Sequence, residues 1–313
     1  MSEYKEIHGG NIVVGSSDPS NPQNGQIWYN TTTGALKISG VVTGGSWSTG
    51  GNLSHNVQYL GGAGTQTAGL AFGGQSYTGN RTEEYDGTSW TIGGNLGSTN
   101  YDMGDAGTQT AALSMAGGSV SPSGKTEEYD GSSWTAGGNM SNGDRGFSGT
   151  GSQTAALAVG SDETAIEEYD GSSWTAGANY PEIASFVKAA GSLTAALVTG
   201  GLTSGPSPTS SNHYNGTSFS AGGTMSTGRY LHAMAGAGTQ TASLVFGGDP
   251  GIANAEHYDG TSWTAGGSMS TGRGYLAGAG TLAAGLAIAG SSYLNSTEEY
   301  SGPGIVVETI SSS

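Results

Sequence analysis

One phrase recurs down the chain: Glu-Glu-Tyr-Asp-Gly, then Ser or Thr, then Ser-Trp. Its aromatic end falls at Trp47, Trp90, Trp134, Trp174, Phe219 and Trp263, at spacings of 43, 44, 40, 45 and 44 residues. Its tyrosine falls at Tyr85, Tyr129, Tyr169, Tyr214, Tyr258 and Tyr300. A second phrase, Thr-Ala-Ala-Leu-Ala-x-Gly-Gly, places Leu70, Leu113, Leu157, Leu197, Leu244 and Leu286. Each marker therefore occurs six times, in step with the others. In a repeat architecture each unit buries its apolar face only against its neighbours. Glycine supplies 60 of 313 residues, yet it does not recur every third residue, which excludes collagen. Disordered low-complexity sequence would not keep three markers in step.

The stretch from Trp263 to Tyr300 shows what one unit can be. Its apolar runs are short and bounded by glycine. None keeps a 3.6-residue apolar period over the length of a helix, so short strands fit better. The Asp86-Gly87, Asp130-Gly131, Asp170-Gly171 and Asp259-Gly260 steps, with Asn215-Gly216 in the fifth copy, are hairpin signals. Asp or Asn followed by Gly supplies the positive φ that tight hairpins need. Each unit predicts four strands: one around Leu-Ala-Gly-Ala-Gly, one ending in Gly-Gly, one with Glu-Glu-Tyr and one with Ser-Trp-Thr. Four strands in about 40–50 residues is the size of one propeller blade. The expected fold is all-β: a β-propeller of six four-stranded blades with a short N-terminal β-hairpin segment. The chain enters the repeat at a fourth strand (Trp47) and leaves after a third (Tyr300). Pairing those two would complete the last blade and remove an exposed edge. The tail 304–310 could compete for that place or add beside it. Five or seven blades remain open if residues 26–42 form a blade of their own. The expected division is residues 1–44, 45–303 and 304–313.

The order Gly-Gly, Tyr, Trp, Met-x-x-x-Arg resembles the kelch repeat over residues 45–300. Gly73-Gly74 with Tyr85 and Trp90 match it, as do Gly117-Gly118 with Tyr129 and Trp134. So do Gly200-Gly201 with Tyr214, and Gly247-Gly248 with Tyr258 and Trp263. Met225 with Arg229, and Met269 with Arg273, supply the last element. The departures are a shorter Tyr-to-Trp step, Gly160-Ser161 and Gly290-Ser291 in place of Gly-Gly, and Phe219 in place of Trp. The resemblance implies a kelch-like propeller with Tyr85, Trp90, Tyr129, Trp134, Tyr169, Trp174, Tyr214, Phe219, Tyr258, Trp263 and Tyr300 as its structural repeat residues.

Residues 1–44 lack the repeat. Within them, Ile27 to Asn30 reads as a strand, Thr33-Gly34 as a turn and Ala35 to Ile38 as a second strand. This Gly-x-Ile-Trp-Tyr-Asn hairpin with its Gly-x-Leu-Lys return resembles segments of bacteriophage tail-fibre and other virion proteins. Such segments often precede a repetitive receptor-facing region.

Charge narrows the partners. Eight Lys and Arg stand against 24 Asp and Glu, a net charge of −16. That leaves no basic face for nucleic acid or for anionic membranes. No apolar run is long enough for a membrane-spanning helix. The first residues lack the basic and apolar regions of a signal peptide. The absence of cysteine excludes disulfides, thiolate metal sites and a cysteine nucleophile. It also excludes the Cys-modified Tyr used by copper oxidases on a kelch scaffold. A sialidase needs an arginine cluster, whereas Arg229 and Arg273 are equivalent repeat elements expected to meet neighbouring-blade carbonyls, with Arg145 one residue out of step. His8, His55, His213, His232 and His257 fall at different repeat phases without metal-ligand spacing. The paired glutamates Glu83-Glu84, Glu127-Glu128, Glu167-Glu168 and Glu298-Glu299 point to opposite faces of a strand. They read as a solvated outer strand. The Thr-Gln-Thr repeat at Thr65, Thr108 and Thr239 reads as a turn between the first two strands of a blade.

Aromatics that the repeat does not explain are the better ligand candidates: Tyr59, Tyr101, Phe147, Tyr180, Tyr230 and Tyr275, with Phe186. They lie where a propeller approaches one rim or its channel. No catalytic, metal or cofactor residue is expected. The expected function is a non-enzymatic phage virion structural protein, tail or fibre associated. It would attach to other virion proteins through its N-terminal segment and present a propeller to host-surface glycan or virion proteins. The alternatives are a capsid decoration protein and a bacterial extracellular adhesion or protein-interaction propeller.

Overall fold

The structure, a computed structural model, describes residues 12–20, 26–42, 44–118, 123–143, 145–161 and 163–310. His8 lies outside the described residues. Every regular element among the described residues is a β-strand, and no helix forms. Two compact units result, one within Ser46–Gly302 and one joining residues up to Gly45 with those from Pro303.

Within Ser46–Gly302 the described strands form six four-stranded antiparallel sheets, one per repeat. In the second sheet the strands are Gly104–Thr108, Ala111–Met115, Thr126–Tyr129 and Trp134–Ala136. In the sixth they are Ala277–Gly280, Ala284–Gly290, Leu294–Ser301 and, from the start of the repeat, Ser46–Thr49. There Tyr300 pairs with Trp47, as Tyr129 pairs with Trp134 in the second sheet. The first strands lie side by side in chain order, and that of the sixth sheet lies beside that of the first.

Burial follows strand position. Second strands such as Ala111–Met115 are buried along most of their length, as expected when sheets cover both faces. Fourth strands begin with a half-buried aromatic and then expose two residues. Tyr129 and Trp134 stack at 5.0 Å, and Trp134 also meets Phe72 of the first sheet at 4.9 Å. The repeat rings therefore join sheet to sheet, with the tyrosines buried and the tryptophans only half-buried.

The glutamate pairs correct the expectation of a solvated strand. Glu83, Glu167, Glu256 and Glu298 are buried. Their carboxylates accept from the chain that leads into their own sheet: Glu83 from Ser54 N at 3.0 Å, Glu167 from Ser141 N at 3.0 Å and Glu256 from Ser226 N at 2.7 Å. The second glutamate points the other way and accepts from the tyrosine of the next sheet. Tyr129 donates to Glu84 at 2.6 Å, Tyr169 to Glu128 at 2.5 Å, and Tyr85 to Glu299 at 2.6 Å. Tyr214 donates to Glu168. In the remaining two links a histidine takes the glutamate's place, His213 with Tyr258 at 2.8 Å and His257 with Tyr300. Those two histidines share one repeat phase, which corrects the expectation that all five differ.

The Asp-Gly steps do sit in hairpins between the third and fourth strands, but the turn is longer than two residues. Gly87 has φ of 93°, while Asp86 keeps negative φ, so this is not a two-residue turn with both φ positive. Asp86 N instead donates to Ser89 O at 3.2 Å, closing a longer loop. The Asp86 carboxylate accepts from Thr88 N and Ser89 N at 2.8 Å each. The bond from Ser89 N leads the set of bonds that hold its carboxyl down at about 2. The Thr-Gln-Thr segments are turns, and their glutamines do more: Gln109 Nε2 donates to Gly69 O at 3.0 Å and Tyr85 O at 2.8 Å of the preceding sheet. Gln66, Gln153 and Gln240 repeat this contact.

The other unit holds one four-stranded sheet. Ile27–Asn30 pairs antiparallel with Ala35–Val42, which extends beyond the expected end at Ile38. Val13–Gly15 adds in parallel to Ile27–Asn30, and the tail strand Gly304–Ile310 pairs antiparallel with Ala35–Val42. Asp18 ties this sheet together, accepting from Lys37 Nζ at 2.6 Å, Asn30 Nδ2 at 2.7 Å and Trp28 Nε1 at 3.1 Å. The Lys37 bond leads the contacts that hold its carboxyl down at about 2.

Candidate functional site

The two ends of the repeat unit differ. In a four-stranded antiparallel sheet the first-to-second and third-to-fourth connections share one end. There the sequence is monotonous, with glutamine turns in four copies and Asp-Gly or Asn-Gly turns. The second-to-third connections and the links to the next sheet share the opposite end. The connections 73–81, 200–210, 247–254 and 291–293 differ in length and in sequence. The first end is the same in most copies, and the second is the end that varies.

Each link to the next sheet brings one residue into the left-handed region just before the first strand. These are Tyr59 (φ 59°), Asp102 (55°), Gly146 (84°), Phe186 (56°), Leu231 (51°) and Tyr275 (58°). Their backbones form a chain of hydrogen bonds from sheet to sheet. Tyr59 N donates to Tyr275 O at 2.9 Å, Asp102 N to Tyr59 O at 3.1 Å, and Gly146 N to Asp102 O at 3.0 Å. Phe186 N donates to Gly146 O and Tyr275 N to Leu231 O, both at 2.9 Å. Left-handed non-glycine residues cost about 1–3 kcal/mol each and concentrate at functional sites.

The tyrosines gather around Tyr59. Its ring centroid is 4.4 Å from Tyr275 and 6.4 Å from Tyr101. Burial, followed by the bond with Tyr275, raises the Tyr59 hydroxyl above its ordinary value. Tyr230 donates to Asp249 Oδ2 at 2.5 Å, and that bond pushes it up to about 12. Burial raises Asp102 to about 6, against the opposing charges of Arg145 and Lys188. Deeper in, burial raises Asp105, although Lys188 and a 2.7 Å bond from Gly62 N oppose it. The voids along the first strands measure about 20 and 30 Å³, room for a water but not for a sugar ring.

Four of the six candidate aromatics, Tyr59, Tyr101, Tyr230 and Tyr275, are therefore partly exposed at this end. Two are not. Phe147 is 3% exposed and packs among Leu113, Met115 and Tyr169. Tyr180 is 1% exposed, six residues after Trp174, where the other copies bury Leu53, Leu96, Met140, Met225 and Met269. It is a repeat core residue, and Asn212 Nδ2 donates to its hydroxyl at 3.3 Å.

Arg229 and Arg273 are fully buried. Arg229 Nη1 donates to Gly247 O at 2.8 Å and Asn254 O at 3.0 Å, and Nη2 to Glu256 Oε1 at 3.0 Å. Arg273 Nη2 likewise donates to Glu298 Oε1 at 3.0 Å. Burial lowers both guanidinium groups from their ordinary value, with the partner carboxylate opposing. His232 is buried and bonded to Thr199 Oγ1 at 3.0 Å. Among the described residues no three His, Asp or Glu side chains form a group that could hold a metal ion.

Sequence reasoning overlooked Tyr77, Arg81, Gln75 and Tyr293, which line a cleft of about 730 Å³ at the variable end. The signal was present: the repeat explains neither tyrosine, but both lie on second-to-third connections. The chain matches no protein-family model and no curated protein sequence.

Proposed function

We propose that residues 46–302 form a closed, six-bladed, kelch-like β-propeller serving as a non-enzymatic recognition module. We propose further that the protein is a virion structural component of a phage tail or fibre apparatus, attached through its N-terminal segment. Its partners are host-surface glycan or neighbouring virion proteins. The contrast between a monotonous end and a variable, aromatic-bearing end carries the recognition reading. A scaffold repeated for stability alone has no reason to vary at one end only. The tyrosine links support closure, since they step through all six sheets and Tyr85 of the first meets Glu299 of the sixth. The virion assignment rests on the hairpin at Ile27–Ile38 and its resemblance to tail-fibre segments. The acidic charge of −16 suits a surface that resists self-association.

Immunogold electron microscopy tests the assignment, with antibody against the recombinant protein and particles from a culture that expresses the chain. Gold at the tail is the expected result. Gold spread over the head would shift the role to capsid decoration. Particles free of gold would overturn the virion reading in favour of a bacterial adhesion propeller.

A further inference from the structure

The cleft of about 730 Å³ falls within the roughly 300–1,000 Å³ typical of ligand pockets. Loop 73–81 of the first sheet, turn 291–293 of the sixth and the segment with His55 and Asn56 form its walls. Tyr77 is fully exposed and Tyr293 is 44% exposed, although a tyrosine normally covers its apolar ring. Tyr293 and Ser292 are held at φ of 53° and 66°. The three-residue turn 291–293 between the second and third strands supplies that conformation, and the corresponding turns elsewhere differ in length and sequence.

The polar groups beside the rings are arranged as donors. Gln75 Oε1 accepts from Tyr293 Oη at 3.1 Å and from Gln58 Nε2 at 3.0 Å. Both bonds fix the amide orientation, and its NH2 has no partner among the described residues. Arg81 Nη1 donates to Ser54 Oγ at 2.7 Å, which anchors the guanidinium and leaves its other N–H groups unpaired among the described residues. Behind His55, burial opposes ionisation of Glu83, yet bonds from His55 and Ser54 hold its carboxyl below the ordinary range.

We infer that this cleft binds a saccharide, with a pyranose ring against Tyr77 and Tyr293 and its hydroxyl or carboxylate oxygens on Gln75 and Arg81. The inference rests on the recognition reading above and names its ligand class. Aromatic faces pack against the C–H face of a sugar ring. A planar amide and a guanidinium offer the paired N–H groups that neighbouring oxygens accept. A purely apolar ligand would leave those donors unpaired. Nucleic acid is disfavoured by a chain of charge −16.

Saturation-transfer NMR on the full chain tests this, with D-galactose, N-acetyl-D-glucosamine and D-glucuronate as probes. The expected result is transfer to the ring protons of at least one sugar, weakened about tenfold or more in Tyr77→Ala. Arg81→Gln should weaken glucuronate selectively if the carboxylate is the recognised group, and all binding sugars alike if hydroxyls are. Both variants should keep the wild-type melting midpoint, because neither side chain is buried. Absence of transfer to all three sugars would overturn the saccharide assignment. Transfer unchanged in Tyr77→Ala but lost in Tyr230→Ala would move the ligand away from the cleft, overturning this inference while the recognition reading stands. Particle labelling tests that reading separately.

Discussion

Replacing Arg273 by alanine removes a side chain with no exposed surface. Its guanidinium donates to Ser296 O at 3.1 Å, Ser296 Oγ at 2.8 Å and Glu298 Oε1 at 3.0 Å. The variant leaves Glu298, itself buried, with a 2.7 Å bond from Ser270 N and no counter-charge. Removing one partner of a buried ion pair costs about 3–5 kcal/mol, because the other charge is stranded. At roughly 2–3 °C per kcal/mol for a chain of this size, the melting midpoint should fall by about 6–15 °C. Calorimetry on Arg273→Ala, Glu298→Gln and the double variant separates the pair from packing. Glu298→Gln keeps an acceptor for Ser270 N but strands the Arg273 charge, whereas the double variant strands neither. The double variant should therefore recover about 1–3 kcal/mol relative to the sum of the singles. The fourth sheet supports this, since it has Ala184 and Asn212 at the equivalent positions and no ion pair. A fall below about 2 °C for Arg273→Ala, or single effects that simply add, would refute the reasoning.

Trp134→Ala removes a half-buried ring that joins Tyr129 to Phe72 and donates from Nε1 to Thr82 Oγ1 at 2.9 Å. It should cost about 3 kcal/mol, at the low end for such truncations because the ring is only half-buried, and denaturant unfolding checks it. Asp102→Asn tests the raised carboxyl. Its folded value of about 6 lies above the ordinary 3.8, so ionisation opposes folding as pH rises through that window. Asn tolerates the positive φ there and does not ionise. The variant should melt above wild type at pH 8 and level with it at pH 3.5; equal midpoints at both would refute the shift.

What the sequence by itself determined is local. The spacing of Leu, Tyr and Trp markers set the strands and their grouping by four. The Tyr129–Trp134 and Tyr300–Trp47 pairs follow from that spacing, because a short connection leaves adjacent antiparallel strands few registers. Asp-Gly located a turn but not its type, since the Asp carboxylate closes a loop that φ preferences alone do not reveal. Tertiary structure decided what the polar side chains do. Glu83 and Glu84 look alike in sequence, yet one holds the chain entering its sheet and the other a tyrosine of the next. His257 does a glutamate's work, and Gln109 reaches the carbonyls of a preceding strand. Tyr180 reads as an extra aromatic until its neighbours show it filling a methionine's place in the core. The cleft joins Tyr77 to Tyr293, residues 216 positions apart that only the packing of the first sheet against the sixth brings together. Local pattern encodes which face of a strand a side chain takes. It does not encode which sheet stands opposite that face, and that neighbour decides whether a carboxylate is solvated, paired or buried.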